Sequence, residues 1–521
     1  MLKSKKITLS KIYPYFFTAF FLILSILLII NHEYWRDEVR AWLMGSESAN
    51  LREFVDNMRD NEGHPYLWSG LLYFISHYIT DNLEAMKVLH LAISVVVVFL
   101  ILKYSPFNKI LRVMLVFSYY LFFEYSIISR NYSIGILFMI IFCILYKNKY
   151  KNLIPISIVL FLMGLGNIYS FVISIILFLF LLFEFLLERR NIKNRINKLH
   201  MSIASAIIIG SILFMYWQLG SQMKSGTVWA PSIFSIFNKN IVNEYIKLIG
   251  IIPEALIKSY LPIPNFVLNF WNTNIIFDFL SKINYLFVYL LALVLFVFSL
   301  FFIKKKVLFL YIIGNLSIAI IPIFVHTGSL RHYGHFFILL IVCIWISYLK
   351  PKENYLIKDR NKFKENLMNG FLIICLTSSL IGSGVAFYFD FKYPFSLGKD
   401  AANYIEKNFN VDELVIIGYL DYPTETIAGY LNKDIYYPQS TDENKFRKLN
   451  SWSRRIGGYD IYLPISSANK FILDSKKVLL VISNPSDDAK EELSKNHFKQ
   501  IEQTFDNSIV KEDFYLYLFD K

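Results

Sequence analysis

The chain has 521 residues, is 55% hydrophobic and 17% aromatic, and carries 18% charged residues with a net charge of +13. A soluble protein of this length would have roughly a quarter charged residues, and the apolar excess here is gathered in blocks of about 18 residues or more, the length that crosses ~30 Å of hydrocarbon. A soluble globular class is therefore excluded. The net charge invites a nucleic-acid reading, but the basic residues sit in short clusters between apolar blocks, as in the positive-inside pattern of membrane loops.

Four lysines precede the first apolar block, about residues 13–30. That block is longer than a signal-peptide core and no small-residue cleavage site follows, so it reads as an uncleaved anchor with a cytoplasmic N-terminus. Further spans are expected at about 85–102, 112–128, 132–146, 153–166, 168–187, 200–219, 283–303, 307–325, 333–349 and 367–388. Alternation of sides through these eleven spans places every dense basic cluster on the cytoplasmic face: 103–112, 147–151, 189–198, 304–306 and 350–364. The same count requires "GHPYLWSGLLYFISHYIT", residues 63–80, not to cross. It reads as a half-buried helix on the outer side, where Trp, Tyr and His suit an interface. Cys143, Cys343 and Cys375 lie within apolar stretches, with no disulfide or metal spacing.

The expected fold is thus a polytopic α-helical membrane protein, residues 1–389, with a small α/β extracytoplasmic C-terminal domain, residues 390–521. The outer face would hold the loop 31–84, with ten acidic and four basic residues, two short turns near 124–130 and 167, the long segment 220–282, and the turn 326–335. In the tail, "DELVIIGY", "DIYYP", "KVLLVIS" and "DFYLYLF" read as strands, and "DAANYIEKNF", "TETIAGYL" and "DAKEELSKNHFKQIEQTF" as helices.

Chemistry is concentrated in a few polar stretches at the outer boundary. "NHEYWRDEVRAW", 31–42, carries Asp37 and Glu38 among Arg36, Arg40 and two tryptophans. As a helix it would face Asp37 to Arg40 at i+3 and Arg36 to Arg40 at i+4. The same pair also reads as the polar end of the first span. "NEGHPYLW" brings Glu62 and His64 to a helix start at Pro65. "FFEYSIISRNYSIG" places Glu124 and Arg130 at a depth where ionisable groups face a cavity or snorkel to the headgroups. "SLRHYGH" adds Arg331, His332 and His335, which also read as surface cations. Threading puts all of them on one membrane face. A carboxylate that accepts a hydroxyl proton, beside cations that hold a phosphate, suits group transfer from a phosphate-linked donor.

"WRDEVRAW", "GHPYLW", "SRNYSIG" and "RHYGH", in this order on a many-span chain, resemble the GT-C superfamily of integral membrane glycosyltransferases. The nearest resemblance is to bacterial relatives of protein O-mannosyltransferases and of lipid A aminoarabinose transferases, in detail over roughly residues 12–190. The resemblance implies Asp37 as acidic base and Glu38 as its partner. His64 and Pro65 begin an "HPPL" element that here has Tyr66 in place of the second proline, which leaves the subfamily open. Arg36, Arg40, Glu62, His64, Glu124, Arg130, Arg331 and His332 form the implied substrate- and phosphate-binding set. The implied reaction moves a sugar, with inversion, from a polyprenyl-phosphate carrier to an acceptor hydroxyl of a glycan, lipid or protein, at the outer face of the plasma membrane. The expected partners are that donor, the acceptor and membrane lipids, with no nucleic acid. No cluster has metal-ligand spacing, so no cofactor is expected, although some relatives use a divalent ion. A transporter or flippase of lipid-linked saccharides, or a scaffold acting through the C-terminal domain, are the alternatives from other classes.

Overall fold

The computed structural model describes residues 9–192, 198–225, 250–324, 326–350, 358–442, 444–449, 456, 458–473, 477–501, 505 and 507–519. Helix α1 (Leu9–Asn31) is followed by α2 (Arg36–Ser46), α3 (Leu51–Asn61), α4 (Leu67–Tyr78) and α5 (Ala85–Tyr104). Next come α6 (Lys109–Val116), a π-helical turn (Tyr119–Glu124), α7 (Tyr132–Tyr146), α8 (Leu153–Gly164), α9 (Ile168–Ile192) and α10 (Lys198–Ser225). The described chain resumes with α11 (Ile251–Tyr260), α12 (Ile275–Ile283), α13 (Tyr285–Leu300), α14 (Lys305–Phe324), α15 (Leu330–Leu349) and α16 (Lys358–Lys392). Residues 226–249 of the expected outer segment, and the side chains of 189–197 and 351–361 in the expected basic loops, lie outside the described residues.

Seven of these helices, α1, α5, α9, α10, α14, α15 and α16, are long and apolar enough to cross a membrane, and α7, α8 and α13 are shorter apolar helices. The chain is a multi-pass membrane protein. The third of the eleven expected spans, 112–128, is corrected: it is broken after α6, where Phe117 and Ser118 leave the helix, and continues as the fully buried π-helical turn. Non-helical backbone at this depth is tolerated because protein satisfies it. Here Tyr119 N–H donates to Ser379 Oγ of α16 at 2.9 Å, and Ser383 Oγ donates to the Phe117 carbonyl at 2.7 Å.

The bundle has two chemically distinct ends. Helices α7, α9 and α15 start together at one end, where the His332 ring stacks on Tyr169 and meets Tyr132 edge to face. At the other end Tyr146 and Lys149 both donate to the buried Glu184 carboxylate at 2.6 Å, Lys350 pairs with the same group, and Lys304 Nζ donates to the Lys350 carbonyl. The basic clusters around 147–151, 304–306 and 350 therefore share an end. On α15 Arg331 and Lys350 stand 19 residues apart, which at 1.5 Å per residue is roughly 28 Å, about the thickness of a hydrocarbon core. Gln218 of α10 donates to the His64 carbonyl and Asp390 of α16 meets His32, so those helices also finish at the Arg331 end.

Helix α4 lies along α2, and Gly45 is what allows it: a Cβ there would stand 2.6 Å from Tyr73 N. Above the bundle, α17 (Gly398–Asn408), α18 (Asp421–Leu431), α19 (Tyr462–Leu473) and α20 (Asp487–Lys495) cover a six-stranded sheet of order β3-β2-β1-β4-β6-β5. Its strands are β1 (Leu414–Tyr419), β2 (Ile435–Tyr436), β3 (Phe446–Arg447), β4 (Lys477–Ser483), β5 (Phe498–Gln500) and β6 (Phe514–Phe519). β2, β1 and β4 run parallel, and β6 is antiparallel between β4 and β5. The helix expected over 488–505 is corrected. It stops at Lys495, His497 takes a left-handed φ of 63°, and Phe498–Gln500 pairs with β6 instead. Edge pairing, a non-local interaction, outweighs local helix propensity there. Helix α16 runs to Lys392, past the boundary expected at 389.

If the two ends lie on opposite sides of the bilayer, single cysteines introduced at the exposed positions Asp81 and Lys147, in a chain whose three buried cysteines are replaced by alanine, will react with an impermeant maleimide from opposite sides. Labelling of both from one side would overturn the threading.

Candidate active site

The stretch that opens the expected outer loop folds around its two carboxylates in different ways. After α1 the chain is extended through Trp35, which offers no capping side chain, and α2 starts at Arg36. Glu38, at the third helical position, reaches back to the Trp35 N–H at 3.2 Å, the return half of a capping box. It also accepts from Ser129 N–H at 2.5 Å and faces His32 Nε2 at 3.3 Å. His32 Nδ1 in turn meets Asp390 at 3.0 Å, and Lys87 Nζ donates to the His32 carbonyl at 2.8 Å. Burial opposes a charge on His32, but Asp390 and then Glu38 outweigh it and push its pKa up to about 10, so a cationic imidazole bridges two carboxylates. Glu38 is fully buried in this network. It joins α1, α2, the 126–131 turn and α16, and does not line the cavity into which Asp37 opens. The expectation of a catalytic partner is replaced by that of a tie.

Asp37 faces the other way. Its Oδ2 lies 3.3 Å from Arg331 Nη2 and 4.0 Å from Arg130 Nη2, and its Oδ1 lies 3.8 Å from Arg36 Nε. Arg130 also donates through Nη1 to the Asp37 carbonyl, locking helix α2 to the 126–131 turn. Burial works to raise the Asp37 pKa, yet Arg130, Arg331 and Arg36 together hold it below the ordinary carboxylate value. The expected Asp37–Arg40 pair does not form. Arg40 is buried and donates through Nη1 to both carboxylate oxygens of Glu425 of α18, at 2.7 and 2.8 Å, a charge-assisted contact with the packed domain that an i+3 neighbour on the same helix does not match.

The supporting groups come from remote segments. Ser329 and His332 form a capping box that starts α15 and presents Arg331, with Ser329 N–H donating to His332 Nδ1 at 2.8 Å. His332 Nε2 is 2.8 Å from Tyr132 Oη. His332 and the expected phosphate ligand Glu124 both lie behind the cavity wall. Glu124 accepts from Tyr119 Oη and Trp271 Nε1, each at 2.8 Å, and so anchors Trp271. Trp271 meets Trp35 edge to face at 4.9 Å, and the Arg331 guanidinium sits 5.1 and 5.4 Å from the two ring centroids. Glu62 accepts from His64 N–H at 3.2 Å and is raised by burial, with Arg130 and Arg40 opposing. His64 stacks edge to face on Tyr132. Burial, and then Arg130, push its pKa down to about 3, so its ring is neutral at physiological pH.

Asp37, Arg36, Arg40 and Arg331 open on a cavity of about 360 Å³ whose other walls are Trp35, Trp271, Asn272, His326, Tyr422 and Glu425. Arg130 Nε, Arg331 Nε and Trp35 Nε1 are buried N–H donors that have no hydrogen-bond acceptor. Orphaned buried donors are costly, and three of them around one carboxylate–guanidinium cluster is what an anion site requires. Among the described residues, no group of three or more His, Cys, Asp or Glu side chains is placed to hold a metal ion.

No protein-family model matches the chain, and no curated protein does. Among solved structures, ArnT from Cupriavidus metallidurans in the apo state aligns over 96% of this chain and 97% of that chain, with a TM-score of 0.47 and 10% identity. The same protein bound to undecaprenyl phosphate aligns over the same shares, with a TM-score of 0.43 and 10% identity. At 10% identity the likeness says nothing of substrate or chemistry.

Sequence reasoning missed the contribution of the C-terminal domain. Glu512 accepts from the Arg36 N–H at 3.2 Å and from Ser396 Oγ at 2.8 Å, and lies 3.5 Å from Arg36 Nε. It caps α2 from 476 residues away, a position that no local pattern signals. Burial raises its pKa from 4.5 to about 7 against the pull of Arg36. The folded state thus holds this proton more tightly than the unfolded chain does. The resulting stability is complete below pH 4.5 and is lost as pH rises through about 7. Glu512→Gln is expected to flatten the fall in Tm over that interval; a wild-type slope in the variant would show that Glu512 does not titrate there.

Proposed function

We propose that the protein is a membrane glycosyltransferase that moves a sugar from a polyprenyl-phosphate carrier to an acceptor hydroxyl at the outer face of the plasma membrane, with the C-terminal domain on that same face. One observation carries the reading: a single carboxylate, Asp37, is shared by Arg36, Arg130 and Arg331 beside orphaned N–H donors, at the mouth of an apolar bundle.

In this reading the donor phosphate lies against Arg130 and Arg331, while its lipid tail stays with the bundle. The acceptor hydroxyl meets Asp37, which takes its proton. The acceptor oxygen forms a bond to the anomeric carbon, the bond from that carbon to the phosphate oxygen breaks, and the lipid phosphate leaves with its added charge on the guanidinium groups. Unliganded, Asp37 is a weak base because three cations hold it ionised. The singly charged phosphodiester of the donor on Arg130 and Arg331 takes up part of that compensation and raises the basicity of Asp37 when the donor is in place. Positioning contributes the rest, since Trp35 and Trp271 clamp Arg331 between cation–π contacts. His64, kept neutral, is an N–H donor or acceptor at this site rather than a fourth cation. The guanidinium groups supply the charge stabilisation, so the reaction is metal-independent in this proposal.

Purified protein supplied with labelled polyprenyl-phosphate sugars and native membrane acceptors is expected to release lipid phosphate. Asp37→Asn should lower that release by roughly 10²–10⁴-fold, the range for loss of a general base, with normal expression. Full activity of Asp37→Asn would remove Asp37 as the base, no release by the wild type would replace the enzyme with a scaffold, and movement of intact donor across vesicles without release would replace it with a transporter. Arg331→Lys should lower turnover as well, since an ammonium cannot offer the planar two-point fork. Excess EDTA is expected to leave the rate unchanged, and a rate restored only by added divalent ion would overturn the metal-independent step.

A further inference from the structure

The cavity at Asp37 is not closed on its far side. It shares Trp35, Arg36, Trp271 and Asn272 with a second cavity of about 400 Å³, which the C-terminal domain walls off with Asn484, Lys511 and Glu512. Each is within the roughly 300–1,000 Å³ of small-ligand sites. A molecule in the second cavity can present a group to Asp37 while remaining outside the apolar bundle.

The sheet topology independently marks the same place. β1 and β4 are parallel neighbours, and the chain leaves β1 for β2 on one side but enters β4 on the other. Such a reversal opens a crevice beyond the carboxyl ends of the strands, where open α/β sheets bind ligands. Pro423 follows β1, Asn484 follows β4, and both line the second cavity. The strands that end there, β1, β4 and β6, are interior to the sheet. The cleft therefore offers no free strand edge to a peptide backbone.

Its walls offer fixed amides. Asn269 Nδ2 donates to the Ser508 and Ile509 carbonyls at 3.0 and 3.1 Å, which turns its carbonyl into the free group. Asn484 Nδ2 donates to the Lys511 carbonyl at 2.9 Å, with the same result. Asn272 is held the other way: its Oδ1 accepts from Leu330 N–H at 3.1 Å, so its NH₂ is free. Asn272, Asn484 and Lys511 all take left-handed backbone, with φ of 66°, 46° and 55°, which fixes the angle at which each wall meets the cleft. Rigid amide donors and acceptors, an indole ring and one exposed ammonium match a polyhydroxylated ligand, whose hydroxyls both donate and accept.

Resting on the glycosyltransferase reading, we propose that the C-terminal domain binds the acceptor in the crevice at the ends of β1 and β4, and that the acceptor is a saccharide. The test uses full-length protein in membranes given labelled polyprenyl-phosphate hexoses and pentoses, with Asp37→Asn as blank. Label is expected in carbohydrate that survives exhaustive proteolysis and is freed by glycosidic hydrolysis. Asn484→Gly and Lys511→Gly, both compatible with left-handed backbone, should each raise the KM for acceptor about tenfold, equal to ~1.4 kcal/mol, with donor KM, kcat and Tm unchanged. Label in protease-soluble peptides overturns the saccharide assignment, and unchanged acceptor KM in both variants overturns the location. Absence of any lipid-phosphate release removes the transferase reading, and this inference with it.

Discussion

The arrangement depends on one electrostatic constraint: the Asp37 carboxylate must compensate several guanidinium groups where an apolar bundle meets its polar cap. Arg130 arrives on the turn after the π-helical segment and Arg331 on the first turn of α15. Neither could be buried there without a counter-charge, because an unpaired buried cation costs several kcal/mol. The ion cluster therefore joins segments almost 300 residues apart, and it leaves N–H donors unsatisfied on the same groups. A purely structural cluster would satisfy those donors with fixed partners. These buried donors, without acceptors and beside the cavity at Asp37, are why the cluster reads as an anion site.

Two neighbouring carboxylates are given opposite tasks by their environments. Glu38 turns inward to a cationic His32 and to backbone N–H groups, fully buried. Asp37 turns outward to the cavity. The helix geometry decides this, since consecutive residues on α2 point about 100° apart and only one can face the mouth. The pair in the sequence is therefore a base candidate and its mount, not two equivalent acids.

The C-terminal domain is part of this mouth rather than an appendage. It buries Arg40 against Glu425, caps α2 with Glu512, and walls the second cavity. Helix α2 thus sits between bundle and domain, tied to the first by Arg130 and Glu38 and to the second by Arg40 and Arg36. Any motion of the domain would be transmitted to Asp37 through these ties.

Composition and apolar block length were enough to determine a multi-pass helical membrane protein, because ~30 Å of hydrocarbon imposes a local length and charge rule on every span. The alternation of basic loops was enough to gather Asp37, His64, Arg130 and Arg331 at one end, since sidedness propagates along the chain. Strands such as "KVLLVIS" were legible as short, β-branched apolar runs. Partner choice was not legible. Arg40 with Glu425, Arg36 with Glu512 and Trp271 with Glu124 are contacts between distant segments. The break at Ser118 and the switch of Phe498 to a strand likewise depend on neighbours that only folding supplies. Local chemistry decided which groups stand at the membrane boundary; which of them meet was decided by tertiary packing, because a buried charge takes whatever partner the fold brings within reach.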